Sequence, residues 1–317
     1  MEEWAGVVLP STPAERDRPR MDSPNVLWFA GTYGIASASY ALLGALPESH
    51  SSVWILVAAI ALLLAYSAAS NELVRHGWWV PGGLAAALAV AMVPAVGVGF
   101  LRLIHVWSSD MPLTDFNGSA VAVAVATAIA GLIAYWLTQF SFLFVTVVTA
   151  ILVTAQFLAV AGDSSATGDD RATAALVAGG LMVIVGVFLD AFGRRRNAFW
   201  FHALGWFSAA GGLAFFVVEP SGDPARGWVP MLVVGTLIAI ASGPIRRATW
   251  AVYGVLGYYA GLLHYMVTGL NERHWTFALA LLAAGLGSFI VGMVLHRYGE
   301  TWAERFVRRP PPGITRA

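Results

Sequence analysis

Residues 79–104 read WVPGGLAAALAVAMVPAVGVGFLRLI, and their one charge is Arg102, close to the end. In helical form, about 20 such residues cross the roughly 30 Å hydrocarbon layer of a bilayer with every backbone amide bonded internally. A helix apolar on every face belongs in a membrane or at the centre of a large core. The rest of the chain decides for the membrane. Apolar stretches recur at 25–46, 53–69, 119–138, 140–161, 173–192, 198–218, 229–243, 249–268 and 275–295, of which 229–243 is the shortest. The expectation is an all-α integral membrane protein of about ten transmembrane helices.

Composition agrees. Of 317 residues, 58% are hydrophobic and 11% charged, against about 45–50% and about 25% in soluble domains. Eighteen basic residues balance eighteen acidic ones, so no global field points to nucleic acid as a partner. Every basic residue is arginine, which fits a GC-rich bacterial genome. It also excludes cofactors held as a Schiff base on lysine. With no cysteine, thiolate nucleophiles and cysteine metal sites are excluded too. No histidine cluster has metal spacing, and HExxH, P-loop and Gly-x-Ser-x-Gly patterns are missing. No cofactor or metal is therefore expected, and whether the chain is an enzyme stays open.

Short cytoplasmic loops retain arginine, and this orients the chain. With the N-terminus inside, fourteen of the eighteen arginines are cytoplasmic, among them Arg75, the Arg194-Arg195-Arg196 cluster, Arg246 and Arg247. The opposite loops carry Glu48, Asp110, Asp115, Asp163, Asp169, Asp170, Glu219, Asp223 and Glu272. An odd number of spans would scatter the arginine-rich loops over both sides. The organisation expected is a polar cytoplasmic segment 1–24, a five-helix half 25–161, an exterior loop 162–172, a second five-helix half 173–295 and a basic cytoplasmic tail 296–317. No cleavage pattern follows the first apolar run, which reads as a signal anchor. The location expected is the bacterial inner membrane, with the tail touching anionic lipid.

The halves share short matches in the same order. Gly77-Trp78-Trp79-Val80-Pro81 parallels Gly227-Trp228-Val229-Pro230, and residues 130–138 (AGLIAYWLT) parallel 260–268 (AGLLHYMVT). Five spans per half would make the repeat inverted. Small residues at four-residue spacing, such as Gly257 and Gly261 or Gly34 and Ala38, are expected to let helices approach closely.

Ionisable groups inside a bilayer are functional candidates by default. Asp190 and His202 are the candidates for proton coupling; for Asp190 the competing expectation is an ion pair with Arg194, four residues along the same helical face. Arg102 and His105, spaced i, i+3 near acidic residues, are candidates for receiving an anionic substrate. Tyr135, His264 and Tyr265, within the repeated motif, are candidates for lining a substrate site. His105 and Asp110 also have the HxxxxD spacing of glycerolipid acyltransferases.

The segment from Trp250-Ala-Val-Tyr-Gly-Val-Leu-Gly-Tyr258 through Phe277-Ala-Leu-Ala-Leu-Leu282 to Leu295-His-Arg-Tyr298 resembles a bacterial family of predicted membrane proteins with no assigned function. The ten-span, five-plus-five plan is similar to the drug/metabolite transporter superfamily, a resemblance that implies transport by alternating access. None of that superfamily's residue motifs is matched, so no substrate site carries over. The function expected is small-molecule transport; the alternatives are a non-transporting assembly or sensor subunit and a membrane acyltransferase. Substrate, coupling ion and oligomeric state stay open.

Overall fold

A Cβ placed on Gly83 would lie 2.3 Å from the Phe140 ring, so the ring rests flush against bare helix backbone. Contacts of this kind organise the whole molecule. The computed structural model describes residues 23–45, 51–107, 116–161, 168–218, 225–245, 247–270 and seven residues between 279 and 290. Among the described residues no strand occurs. The helices are α1 (Ser23–Gly44), α2 (Ser51–Arg75), α3 (Trp79–Leu103), α4 (Gly118–Thr138), α5 (Leu143–Leu158), α6 (Gly168–Ala191), α7 (Arg195–Val218), α8 (Ala225–Ile245) and α9 (Ala248–Leu270).

Six of them, α2, α3, α4, α6, α7 and α8, are long and apolar enough to cross a membrane. The chain is a multi-pass helical membrane protein. Large apolar side chains such as Leu64, Ile129, Leu181 and Phe188 stand exposed along these helices, as lipid-facing residues do.

Two expected segments differ in extent. The fifth, expected at 140–161, has its regular helix only over 16 residues, because Gln139 turns left-handed and residues 140–142 form a corner before α5. The eighth, expected to be short, is a helix of 21 residues. Arg226 can join its first turn because the guanidinium meets Asp169 at 3.2 Å and lies 5.5 Å over the Phe216 ring. The tenth segment, the 1–22 leader and the tail fall largely or wholly outside the described residues.

The chain divides into two compact units, Met1–Thr167 with Ile184–Leu204, and Gly168–Val183 with Gly205–Ala317. In the first, α3 is the central helix. Gly82 to Val90 are all buried, as are Met92, Ala95 and Gly99. Nothing larger than glycine would fit at its contacts: a Cβ on Gly99 would lie 2.9 Å from the Leu56 amide nitrogen on α2, and one on Gly97 would lie 2.8 Å from Val123 on α4. Between lipid-solvated helices there is no hydrophobic force, and close packing takes its place. A few hydroxyls bond between helices. Ser70 donates to the Gly82 carbonyl at 2.8 Å, and Ser39 meets the Tyr66 hydroxyl at 2.6 Å. Tyr40 of α1 donates to the Ala91 carbonyl of α3. That bond falls within a turn of Pro94, whose missing N–H interrupts the helical ladder of α3.

In the second unit, α8 and α9 pack backbone to backbone. Gly254 abuts Ala239, Gly257 abuts Gly235, and Gly261 abuts Leu232, as the four-residue spacing predicts. Gly131, the counterpart of Gly261 in the sequence match, packs instead on Thr146 and Val147 of the following helix. Gly34 has no neighbour within 4 Å of its virtual Cβ among the described residues, so the α1 spacing marks no helix contact there.

Gly254→Ala is expected to destabilise the protein by about 1–3 kcal/mol, since its methyl would fall 2.4 Å from the Ala239 nitrogen. Gly180→Ala, whose methyl meets nothing within 4 Å, is expected to be neutral or to gain up to about 1 kcal/mol from helix propensity. Thermal unfolding in detergent, followed by circular dichroism, ranks the two. Equal melting would contradict the close α8–α9 contact.

Candidate functional site

The α6–α7 hairpin places two ionisable groups against each other inside the apolar layer. Helix α6 stops at Ala191 through a glycine cap: Gly193 adopts φ +78°, its amide bonds Asp190 O at 2.9 Å, and the Arg194 amide bonds Leu189 O at 2.8 Å. Only a residue without a Cβ takes that conformation readily. Helix α7 then starts at Arg195 and runs back, and its His202 faces α6. The imidazole has 0% exposure, and its Nε2 lies 3.0 Å from Asp190 Oδ2, whose side chain is 17% exposed. Gly186, one turn before Asp190, makes room for the ring: a Cβ there would fall 2.8 Å from Cε1 and 2.9 Å from Nδ1.

This corrects the expected pairing of Asp190 with Arg194. The i, i+4 spacing presumes a continuous helix, and the helix ends between them; Asp190 instead bonds across the hairpin to His202. A carboxylate withdrawn from water gains from such a partner.

Tyr135 takes part in a second polar contact of the same unit. Helix α4 ends where Gln139 turns left-handed and bonds Tyr135 O at 2.7 Å. The Tyr135 hydroxyl accepts a hydrogen bond from Asn197 Nδ2 at 2.6 Å. The ring packs 4.5 Å from Phe144, which in turn lies 5.3 Å from Phe201, the neighbour of His202. A cavity of about 580 Å³ opens beside this contact, lined by Tyr135, Gln139, Asn197 and the three arginines 194–196.

The other candidates stand elsewhere. His105 adopts φ +58°, with its amide on Arg102 O and the Val106 amide on Leu101 O, so it caps α3 in the place usually taken by glycine. Its side chain is exposed, and the expected helical i, i+3 partnership with Arg102 is lost because the helix ends at Leu103. Arg102 is half-buried, with Nε lacking a hydrogen-bond partner among the described residues. Asp110 and Asp115 lie outside the described residues. His264 belongs to the second unit, stacked on Trp228 with centroids 4.2 Å apart and planes 9° from parallel, and edge-on to Tyr265 at 5.2 Å. Among the described residues no group of histidine and acidic side chains is arranged to hold a metal.

Comparison with protein-family models, with curated proteins and with solved structures gives no significant match. The chemistry of the chain therefore has to be argued from its own residues.

Replacing His202 by leucine removes the hydrogen bond between ring and carboxylate and is expected to cost about 1.5–3 kcal/mol, the range for a hydrogen bond to a charged group. Asp190→Asn keeps a bond to the ring and is expected to cost less. Gly186→Ala is expected to resemble His202→Leu, because the added methyl displaces the imidazole. Guanidinium or thermal melts of the three variants test this order, and a harmless Gly186→Ala would mean that the ring is not held as described.

Proposed function

We propose that this protein is a small-molecule carrier driven by proton movement, with Asp190 and His202 as the coupling pair. The supporting observation is the pair itself, an imidazole with 0% exposure bonded to a carboxylate 17% exposed, within helices long and apolar enough to cross a membrane. Ionisable groups are expensive at that depth and in membrane proteins mark proton and solute paths. Protonation of either group changes the charge of the pair and so the balance between conformations that bury or expose it.

In this reading the chain has ten spans with both ends in the cytoplasm, and the arginine cluster after α6 faces the cytoplasm by the positive-inside rule. Asp190 then sits about one turn inside the cytoplasmic boundary, where it can exchange a proton with that compartment. The carrier works by alternating access.

A second reading has one observation in its favour. The ring of His202 fits the gap above Gly186 closely, as in a fixed clamp, and a non-transporting assembly or sensor subunit would need only that. The acyl-transfer reading gains nothing, since its histidine, His105, caps α3.

The two surviving readings separate in proteoliposomes containing a pH-sensitive dye. A panel of amino acids, sugars, organic acids and amphiphilic amines is offered under an imposed pH gradient. The carrier reading expects a solute-dependent proton flux that falls at least about tenfold in Asp190→Asn and His202→Gln, while Asp169→Asn, altering only an exposed ion pair, retains it. Proton-coupled flux that survives in both variants would leave the pair as a clamp.

A further inference from the structure

We infer that the cavity between the C-terminal end of α4 and the start of α7 is a binding site for the phosphate headgroup of an anionic phospholipid. The inference does not depend on the carrier reading. Its basis is the concentration of donors around one space. Arg194, Arg195 and Arg196 line the cavity together with Gln139, Asn197 and the Tyr135 hydroxyl. Each guanidinium presents five N–H donors in a fixed fork, more than one protein contact consumes, and that fork matches a phosphate in two-pronged fashion.

Two further features point the same way. The Tyr135 oxygen accepts from Asn197, so its own proton is directed elsewhere, and no acceptor for it occurs among the described residues. An anion in the cavity would supply one. In addition, the arginines sit at the beginning of α7, where the first intrahelical bond is that of the Ala198 amide to Arg194 O at 3.1 Å. The positive end of the helix dipole thus adds to their field.

The surroundings select a lipid over a dissolved ion. Trp136, which also lines the cavity, is 74% exposed, and Phe192 just before the arginine cluster is 78% exposed. Large aromatic residues exposed at helix ends mark the depth of the headgroups, so the cavity opens where phosphodiesters are concentrated. About 580 Å³ lies within the range of small-ligand sites and accommodates a phosphoglycerol group whose acyl chains remain in the bilayer. Basic pockets between membrane helices on the cytoplasmic side bind such headgroups.

The test uses the full-length protein in detergent, with thermal unfolding followed as lipid is added to the micelles. Phosphatidylglycerol is expected to raise the unfolding temperature and phosphatidylcholine to leave it unchanged. Replacing Arg194, Arg195 and Arg196 by glutamine is expected to weaken the phosphatidylglycerol effect about 100-fold in concentration, at about 1 kcal/mol per arginine. Tyr135→Phe, which keeps the net charge and the ring, is expected to weaken it by a smaller factor. A control with Arg171, Arg226 and Arg273 replaced by glutamine loses as many charges from loops expected on the opposite side and is expected to respond like the wild type. The site is refuted if that control loses as much as the 194–196 variant, or if Tyr135→Phe binds like the wild type. Equal stabilisation by inorganic phosphate would overturn the lipid assignment and leave a site for a free anion.

Discussion

Close contact between backbones is the constraint on which the rest of this molecule depends. Water drives apolar surfaces together in soluble proteins, but lipid tails are as apolar as the helices they surround, so helices associate only where they fit. The buried face of α3 is built from Gly82, Gly83 and a run of alanines, and α8 and α9 meet at Gly235, Gly254 and Gly257. Many bulky side chains are turned outward, while others such as Leu84, Met92, Leu143 and Phe144 are buried among the helices. The Phe140 ring covers the bare backbone of Gly83.

A scaffold of this kind has little room for polar groups, and many of those present bond backbone or one another. Ser70, Ser39 and Tyr40 each bind a neighbouring helix. The hydroxyls of Thr127, Thr138 and Thr154 return to the carbonyl four residues back in their own helices. Against that background a charged pair is conspicuous, because a threonine and a glycine could bridge the same hairpin without any penalty for burying charge.

Much of this was readable in the residues. Length and polarity of the apolar runs place the helices to within a few positions, because a bilayer imposes one thickness on all of them. Asp190 and His202 were legible as candidates, being polar residues in apolar segments. Their union was not, because it depends on how α6 ends. Gly193 carried that signal, since a glycine just after an apolar run marks a helix stop, and it should have removed Arg194 from the helical face. Asn197 gave a weaker sign, an amide just inside α7 that any helix start would tolerate. Nothing in the sequence distinguishes Gly186, which clears a ring, from Gly180, which touches nothing within 4 Å. The left-handed cap at His105 was hidden as well, because a histidine does the work usually given to glycine.

The short connection after α6 carries an obligation of length more than of composition. Phe192 to Arg194 reverse the chain, and each residue of a helix advances its azimuth by about 100°. The number of residues in the reversal therefore sets which side of α7 confronts α6. Within it Gly193 is tied to a residue type by its φ of +78°, whereas the backbone path asks of Phe192 and Arg194 only that neither be gained or lost. The chain can thus drift in sequence at the membrane surface while the meeting of acid and imidazole several ångströms deeper stays fixed by counting alone.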